Sequence, residues 1–371
     1  MKNKLWFVFA IAFCALFLGC NKNNVGQKGQ FVTIVDHADN EVTVPVNPQR
    51  IVVCDVFPLP SVLAIFFDSA EKLVGIAPAS MVAAKNSLLS ELYPEILNAK
   101  TDFIKGNDIN IEELLKLNPE VVFYSATNGK HKELLEKAGL NAVGISANKW
   151  DYNAIETLTQ WIGLLSKVFP KNDKSELVKD YSNKIYDFVQ KKVENIPAEE
   201  RVSSFVLFQC TPTNILTSGK HFFGQWWTTS AGSSNVAESL EGFNGSKVNL
   251  EQIYAWNPDV IFVTNFTQVV PSDLYENKIG TYDWSKIKAV ENKRVYKMPL
   301  GMYRCYTPGI DTPITLLWFA KTLYPAYFAD VDLVDYTVDY YKSIFGVNLS
   351  EEQVERIFTP QTKAGNVSFQ K

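Results

Sequence analysis

Histidine is scarce in this 371-residue chain: His37, His131 and His221 are all there is. Capture of bare zinc or manganese needs about four convergent ligands. Three histidines, one in a predicted turn and one at a predicted helix start, are unlike such a set, and no metal site is expected. Basic excess is also missing. The formal charge is −4, which argues against nucleic acid as a partner. After the opening segment no apolar run is long enough to span a bilayer. Enzyme signals are poor as well. No Gly-x-Ser-x-Gly turn occurs, and no Ser/His/Asp order suggests a triad. Ser218-Gly219-Lys220 has Asn214 where a phosphate loop needs glycine. The chain reads as a non-enzyme, with no cofactor.

The N-terminus carries a different signal. Lys2 and Lys4 precede an apolar run from Leu5 to Leu18, which turns polar at Asn21. That is a secretory n-region and h-region, too short for a membrane span. The run ends Phe17-Leu18-Gly19-Cys20, which resembles a bacterial lipobox. The resemblance implies cleavage before Cys20 and lipid on its sulfur. Phe17 stands where the usual pattern has leucine. An ordinary signal peptide that happens to contain Cys20 is the plainer alternative. Residues 1–19 are thus expected to be a lipoprotein signal peptide and residues 20–30 a polar tether. Removing Lys2 and Lys4 moves the charge from −4 to −6. Cys54, Cys210 and Cys305 then remain beside the lipidated Cys20. An odd number excludes a complete disulfide framework. All three fall at or just after predicted strand ends. They could face a cleft and hold a soft metal, form one bridge, or be inert buried thiols.

The segment Asn110 to Phe123 recurs as Asn249 to Phe262. Each copy opens Asn-x-Glu, runs through a short helical pattern, breaks at Asn118-Pro119 or Asn257-Pro258, and continues as a buried strand. Two such units far apart in one chain imply two similar lobes, with a ligand held between them. Phe31 to Pro45 alternates around the polar turn Asp36–Asn40 and predicts a β-hairpin. Strands are expected at Ile51–Val53, Leu73–Ile76, Val121–Tyr124 and Asn141–Ile145, with helices between them. Residues 152–193 have helical spacing, broken at Pro170. Strands resume at Ser204–Gln209, Ile215–Thr217, Val260–Thr264 and Arg294–Lys297, and Pro313 to Phe358 is helical again. Strand–helix alternation implies parallel sheets. The expected fold class is α/β: two similar lobes, each a mainly parallel sheet flanked by helices, joined by a long rigid helix. The boundaries are 31–148 for the N-terminal lobe, 149–198 for the connecting helices and 199–371 for the C-terminal lobe with its helical tail.

Candidate ligand residues follow from strand ends, where open α/β sheets bind ligands. Asp55 and Phe57 end the first strand, and the helix after Pro58 could accept an anion at its N-terminus. Tyr124 and Asn265 end the two repeated strands. Tyr303, Arg304 and Tyr306 follow the strand Arg294–Lys297. Arg304 offers a fork of donors for a carboxylate, catecholate or oxyanion, unless it pairs locally with Asp311. Trp226 and Trp227 offer aromatic walls, although core packing explains them equally well.

Several pieces in this order resemble the bacterial solute-binding lipoproteins of ABC importers for iron–siderophore, haem, cobalamin and related metal chelates. They are Val32-Thr33-Ile34-Val35-Asp36, Pro48-Gln49-Arg50-Ile51-Val52-Val53, both Asn-x-Glu…Asn-Pro repeats, and Ala231-Gly232-Ser233-Ser234-Asn235-Val236-Ala237. In the last, Ser233 stands where a second glycine is usual. Thr312 to Lys321 looks like a branch assigned to iron complexes, with some members for molybdate or nickel chelates. The resemblance implies an extracytoplasmic, lipid-anchored monomer, facing the periplasm or cell exterior. It would capture a metal chelate of the iron–siderophore type, or alternatively molybdate, tungstate or a nickel chelate. It further implies that Glu112 and Glu251 dock an ABC permease. In the first turn of a helix both would also simply favour the dipole. An exported hydrolase and an adhesin are the readings of other classes.

The anchor is testable by itself. Cys20→Ala should abolish incorporation of a fatty-acid probe during growth. Equal labelling of variant and wild type would exclude lipidation at Cys20.

Overall fold

A computed structural model describes residues 30–360, so the signal peptide, Cys20 and nearly all of the tether lie outside the described residues. The two repeat copies show how local chemistry builds each lobe. The Asn110 side chain accepts the N–H groups of Glu112 and Glu113, opening the helix Ile111–Lys116. Asn249 accepts the N–H of Gln252 and opens Leu250–Trp256. Asparagine at this position satisfies amides that the first turn leaves unpaired. After each helix an asparagine turns left-handed, Asn118 at φ 45° and Asn257 at φ 41°. Asparagine tolerates that region better than most residues, and the following proline stops the helix. The strands Val121–Ser125 and Val260–Val263 then run into the sheets.

The first lobe holds a four-stranded parallel sheet in the order Leu73–Ile76, Ile51–Val53, Val121–Ser125, Ala142–Ile145. The second lobe's sheet is mixed. Ser203–Thr211, Val260–Val263 and Val295–Lys297 pair in parallel, while Asn214–Thr217 and Ser246–Val248 extend it antiparallel at one side. Alternation sends successive side chains to opposite faces. Ile51, Val53 and Phe123 enter one core, whereas Val52, Cys54, Val122 and Tyr124 enter another under the helix Ile111–Lys116. The hairpin Phe31–Val35/Glu41–Pro45 docks through Asp36, which accepts the N–H groups of Ala38, Asn40 and Gly144.

The connection is two helices, Ala154–Val168 and Ser175–Glu194, separated by a turn at Pro170–Asn172. The second is 20 residues long, about 30 Å, and it crosses between lobes. Val178 lies in the first lobe's core, and Ile185, Val189 and Val193 lie in the second's. The helical tail divides between the lobes: Leu316, Leu317, Phe319 and Leu323 pack in the second lobe's core, and the later part reaches the first lobe. Tyr340, Tyr341, Ile344, Phe345, Val347, Leu349, Val354 and Ile357 are buried in the same cluster as the first lobe's sheet. Met302, Ile310 and Ile314 from the second half join them. The Glu91 carboxylate accepts from Arg356 and Gln353 across this seam.

Asp311 sits buried at the same junction. Its Oδ2 accepts the N–H of Met302 at 2.9 Å, and its Oδ1 accepts the Tyr341 hydroxyl at 2.6 Å. A Cβ at Gly301 would fall 2.0 Å from Asp311 Oδ1, so only glycine lets the backbone close on this carboxylate. Burial pushes the Asp311 carboxyl up to about 6. A raised acid favours folding while protonated, and that contribution is lost as pH rises through about 6. Asp311→Asn should therefore look more favourable at pH 7.5 than at pH 5. Relative to wild type, the gain between the two pH values should be roughly 1.4 kcal/mol, about one pH unit of titration between pH 5 and the folded value of about 6. Urea unfolding at both values measures it, and an effect independent of pH would refute the assignment.

Candidate functional site

The carboxyl ends of the first lobe's strands face the second lobe across a cavity of about 570 Å³. From the first lobe come Asp55, Phe57 and Pro58 after one strand, Ser125 at the end of the next, and Ile145 and Ala147 beyond the third. The second lobe supplies Phe208, Phe222, Phe223, Phe266 and Tyr303, with Gln209, Asn244 and Thr307 as polar points. Aromatic rings thus form much of the wall. They brace one another: Phe208 lies 5.0 Å from Phe222 and 5.3 Å from Phe266 between ring centroids. Offset and edge-on ring pairs at these separations add to burial energy, so the wall is held before any ligand arrives.

Asp55 is the one charged side chain among the residues that line the cavity. Its Oδ1 accepts the N–H of Ser125 at 2.5 Å. Its Oδ2 accepts from Asn128 Nδ2 at 2.8 Å and meets His131 Nδ1 at 2.9 Å. His131 is buried, and its Nε2 lies 3.0 Å from the Asn107 carbonyl oxygen. A carbonyl can only accept, and so can a carboxylate. Both ring nitrogens therefore donate, which makes His131 an imidazolium. The hydrogen bond to Asp55 accordingly raises the His131 pKa against the opposing effect of burial.

Other expected ligand residues fall elsewhere. Asp55, Phe57 and Tyr303 line the cavity; Tyr124, Asn265, Trp226, Trp227, Arg304 and Tyr306 do not. Tyr124 is one residue short of the cavity position, and strand alternation turns it into the core beneath the sheet while Ser125 reaches the cleft. Asn265 is buried, with its Nδ2 donating to the carbonyls of Met298 and Pro299. Trp227 packs flat on Phe319 at 5.5 Å and donates to the Tyr306 carbonyl. Trp226 is half-buried and packs against that same core. Tyr306 shares a hydrogen bond with Ser218 under the aromatic wall. The preceding pair Phe222-Phe223 takes the place expected of the tryptophans.

Arg304 is 1% exposed, and among the described residues it has no acidic partner. Asp311 is engaged elsewhere. The guanidinium lies against Phe266 at 5.0 Å and Tyr303 at 5.2 Å, behind the two rings that face the cavity. Nε donates to the Asn265 carbonyl and Nη1 to the Tyr303 hydroxyl, while Nη2 has no hydrogen-bond partner among the described residues. The side chain is thus not free, and its removal would disturb packing as well as any ligand contact. Cys54, Cys210 and Cys305 are unbridged and buried, and none lines the cavity. Burial alone pushes the Cys210 thiol up to about 12. His37 accepts the N–H of Ser146 and His221 pairs with Glu241, so the three histidines have separate partners.

Glu112 and Glu251 are exposed in the first turns of their matched helices. Each helix leads through its Asn-Pro turn into a strand that ends near the cavity. The helix N-termini therefore lie toward the cleft side of each lobe.

A family model described as periplasmic binding protein matches residues 62–300. The chain is 29% identical over 351 residues to a molybdate-binding protein of Haemophilus influenzae, spanning 87% of this chain and 93% of that one. It is 22% identical to an Fe(3+)-citrate-binding protein of Bacillus subtilis, across 80% of this chain and 89% of that one. A solved periplasmic solute-binding protein of Veillonella parvula superposes with a TM-score of 0.79 at 27% identity, covering 90% of this chain and 98% of its own. With the two-lobed fold and the cavity between the lobes, these matches place the chain in the periplasmic binding protein family, as a substrate-binding protein of an ABC importer.

Proposed function

We propose that the protein captures a metal chelate, of the iron–siderophore type, in the cavity between its lobes and presents it to an ABC permease. The observation that carries this reading is the wall itself. Phe57 on one lobe opposes Phe208, Phe222, Phe223, Phe266 and Tyr303 on the other. Rings of this kind suit the organic shell of a chelate, which brings its own metal coordination and offers apolar surface. The protein then needs no metal ligands, and among the described residues no cluster of three or more His, Cys, Asp or Glu could hold an ion. The relative named for Fe(3+)-citrate supports the same class. A second reading, capture of molybdate, is favoured by the similarity to the molybdate-binding protein and by the unpaired Nη2 of buried Arg304. Lipid attachment at Cys20 would hold the receptor at the membrane outside the cytoplasm. Among the described residues no helix is long and apolar enough to cross a membrane.

Calorimetric titration of residues 31–371 decides between the readings. The panel is a ferric catecholate, ferric citrate, ferrioxamine B, haem, cobalamin, nickel–histidine and molybdate. A metal chelate should bind, and Phe57→Ala should weaken it about tenfold, the loss of one aromatic contact worth roughly 1.4 kcal/mol. Tight molybdate binding with no chelate bound would overturn the chelate reading.

Docking gives a separate prediction. Glu112 and Glu251 are assigned to the permease because they are matched, exposed and one per lobe. Glu112→Arg combined with Glu251→Arg should abolish uptake and leave affinity for the ligand in solution unchanged. Normal uptake at normal expression would exclude the docking role.

A further inference from the structure

We infer that Asp55 sets the ligand class: it receives a cationic or hydrogen-bond-donating group on the chelate and rejects a bare oxyanion. This rests on the reading of the cavity as the ligand site. It goes further by naming a chemical feature that the ligand must carry.

Three observations converge. First, no other residue lining the cavity is charged. This carboxylate is therefore the one formal charge on the wall, beside the N-terminus of the helix Leu59–Phe67. Second, the carboxylate is fixed. Ser125, Asn128 and His131 hold it through three donors, all from the first lobe. Two of them converge on Oδ2, and Oδ1 has only the Ser125 amide. A carboxylate oxygen accepts about two hydrogen bonds, so Oδ1 has one acceptor position left. The side chain keeps 17% of its surface exposed, while its histidine partner keeps 5%. The face left open is an acceptor face. Third, the compensating positive charges are recessed. His131 lies beneath the carboxylate, and Arg304 lies behind Phe266 and Tyr303. An entering group thus meets Asp55 and aromatic π-faces first. Both attract a cation or a polarised N–H or O–H, and both are poor surfaces for a bare anion.

His131 is a positioning residue in this arrangement. Its Nδ1 holds the Asp55 carboxylate in place, and the Asn107 carbonyl on its other nitrogen fixes the ring. The chemical class that fits is a metal chelate of low net charge bearing an ammonium, amide N–H, or free phenolic or hydroxamic O–H within reach of the Phe57 side of the cavity. A tetrahedral oxyanion has no donor to give.

The test uses three probes on the lipid-free mature chain: ferrioxamine B, which carries a pendant ammonium; its N-acetylated derivative, which has the same iron core without the charge; and molybdate. Wild type should bind ferrioxamine B at least tenfold more tightly than the acetylated form. Asp55→Asn should erase that preference and bind molybdate at least tenfold more tightly than wild type does. His131→Gln, which keeps a donor on the carboxylate, should retain the preference, and His131→Leu should lose it. The comparison of the two chelates on wild type needs no variant, so it stands even if Asp55→Asn fails to fold. Equal binding of the two chelates by wild type would overturn the role of Asp55 while leaving the chelate reading intact. Binding of molybdate alone by wild type would overturn both.

Discussion

Everything at the cavity depends on how firmly the two lobes are held apart. A binding site split between two bodies is defined only if their separation is. Here the lobes share buried apolar surface at two places. The helix Ser175–Glu194 buries Val178 in one core and Ile185, Val189 and Val193 in the other. The C-terminal tail crosses back and fills the first lobe's core with Tyr340, Tyr341, Phe345 and Ile357. Burying a large side chain is worth roughly 1.5–3 kcal/mol, so swinging the lobes widely would expose several such groups at once. The expected motion is small, and affinity rests on walls already formed.

The seam also explains why polar groups are buried there. Asp311 ties Met302 to Tyr341, joining the segment that carries Tyr303 to the helical tail. Tyr303 in turn lines the cavity and accepts from Arg304. The tail is therefore continuous, through packed groups, with the second lobe's ligand wall. That continuity is spatial. It gives the wall its stiffness without requiring that any signal travel along it.

Inside the cavity the one carboxylate lies on the first lobe, while most of the rings lie on the second. The first lobe also offers Phe57 beside this fixed carboxylate, which is backed by His131. A ligand that satisfies both must present apolar surface on one side and a donor on the other. Arg304 complicates a purely apolar account of the second wall, since its Nη2 lacks a hydrogen-bond partner among the described residues. Stacking against Phe266 and Tyr303 offsets part of its desolvation, and it lends those rings a cation behind their faces.

The duplicated Asn-x-Glu…Asn-Pro unit was enough, by itself, to determine two α/β lobes, because caps, left-handed asparagines and proline stops act within a few residues. Strands such as Ile51–Val53 and Leu73–Ile76 were legible for the same reason: a buried parallel strand must be apolar throughout. The ligand-facing positions were legible only to within a residue or two. Tyr124 and Ser125 differ by one place, and a period of two sends one to the core and the other to the cleft. Trp226-Trp227 and Phe222-Phe223 are both aromatic pairs, and only helix orientation decides which pair the ligand meets. Arg304 was found from its position beyond a strand, but its burial behind two rings comes from packing that no local pattern encodes. His131 was read as a helix-start residue, and its contact with Asp55 closes a gap of 76 residues. Nor did the tail's apolar pattern state which lobe it would cover. Short-range signals follow from backbone sterics and hydrogen bonds, which act on neighbours in sequence. Which side chains share the cavity, and which lobe the tail closes, depend on contacts between distant segments, and those exist only once the chain has folded.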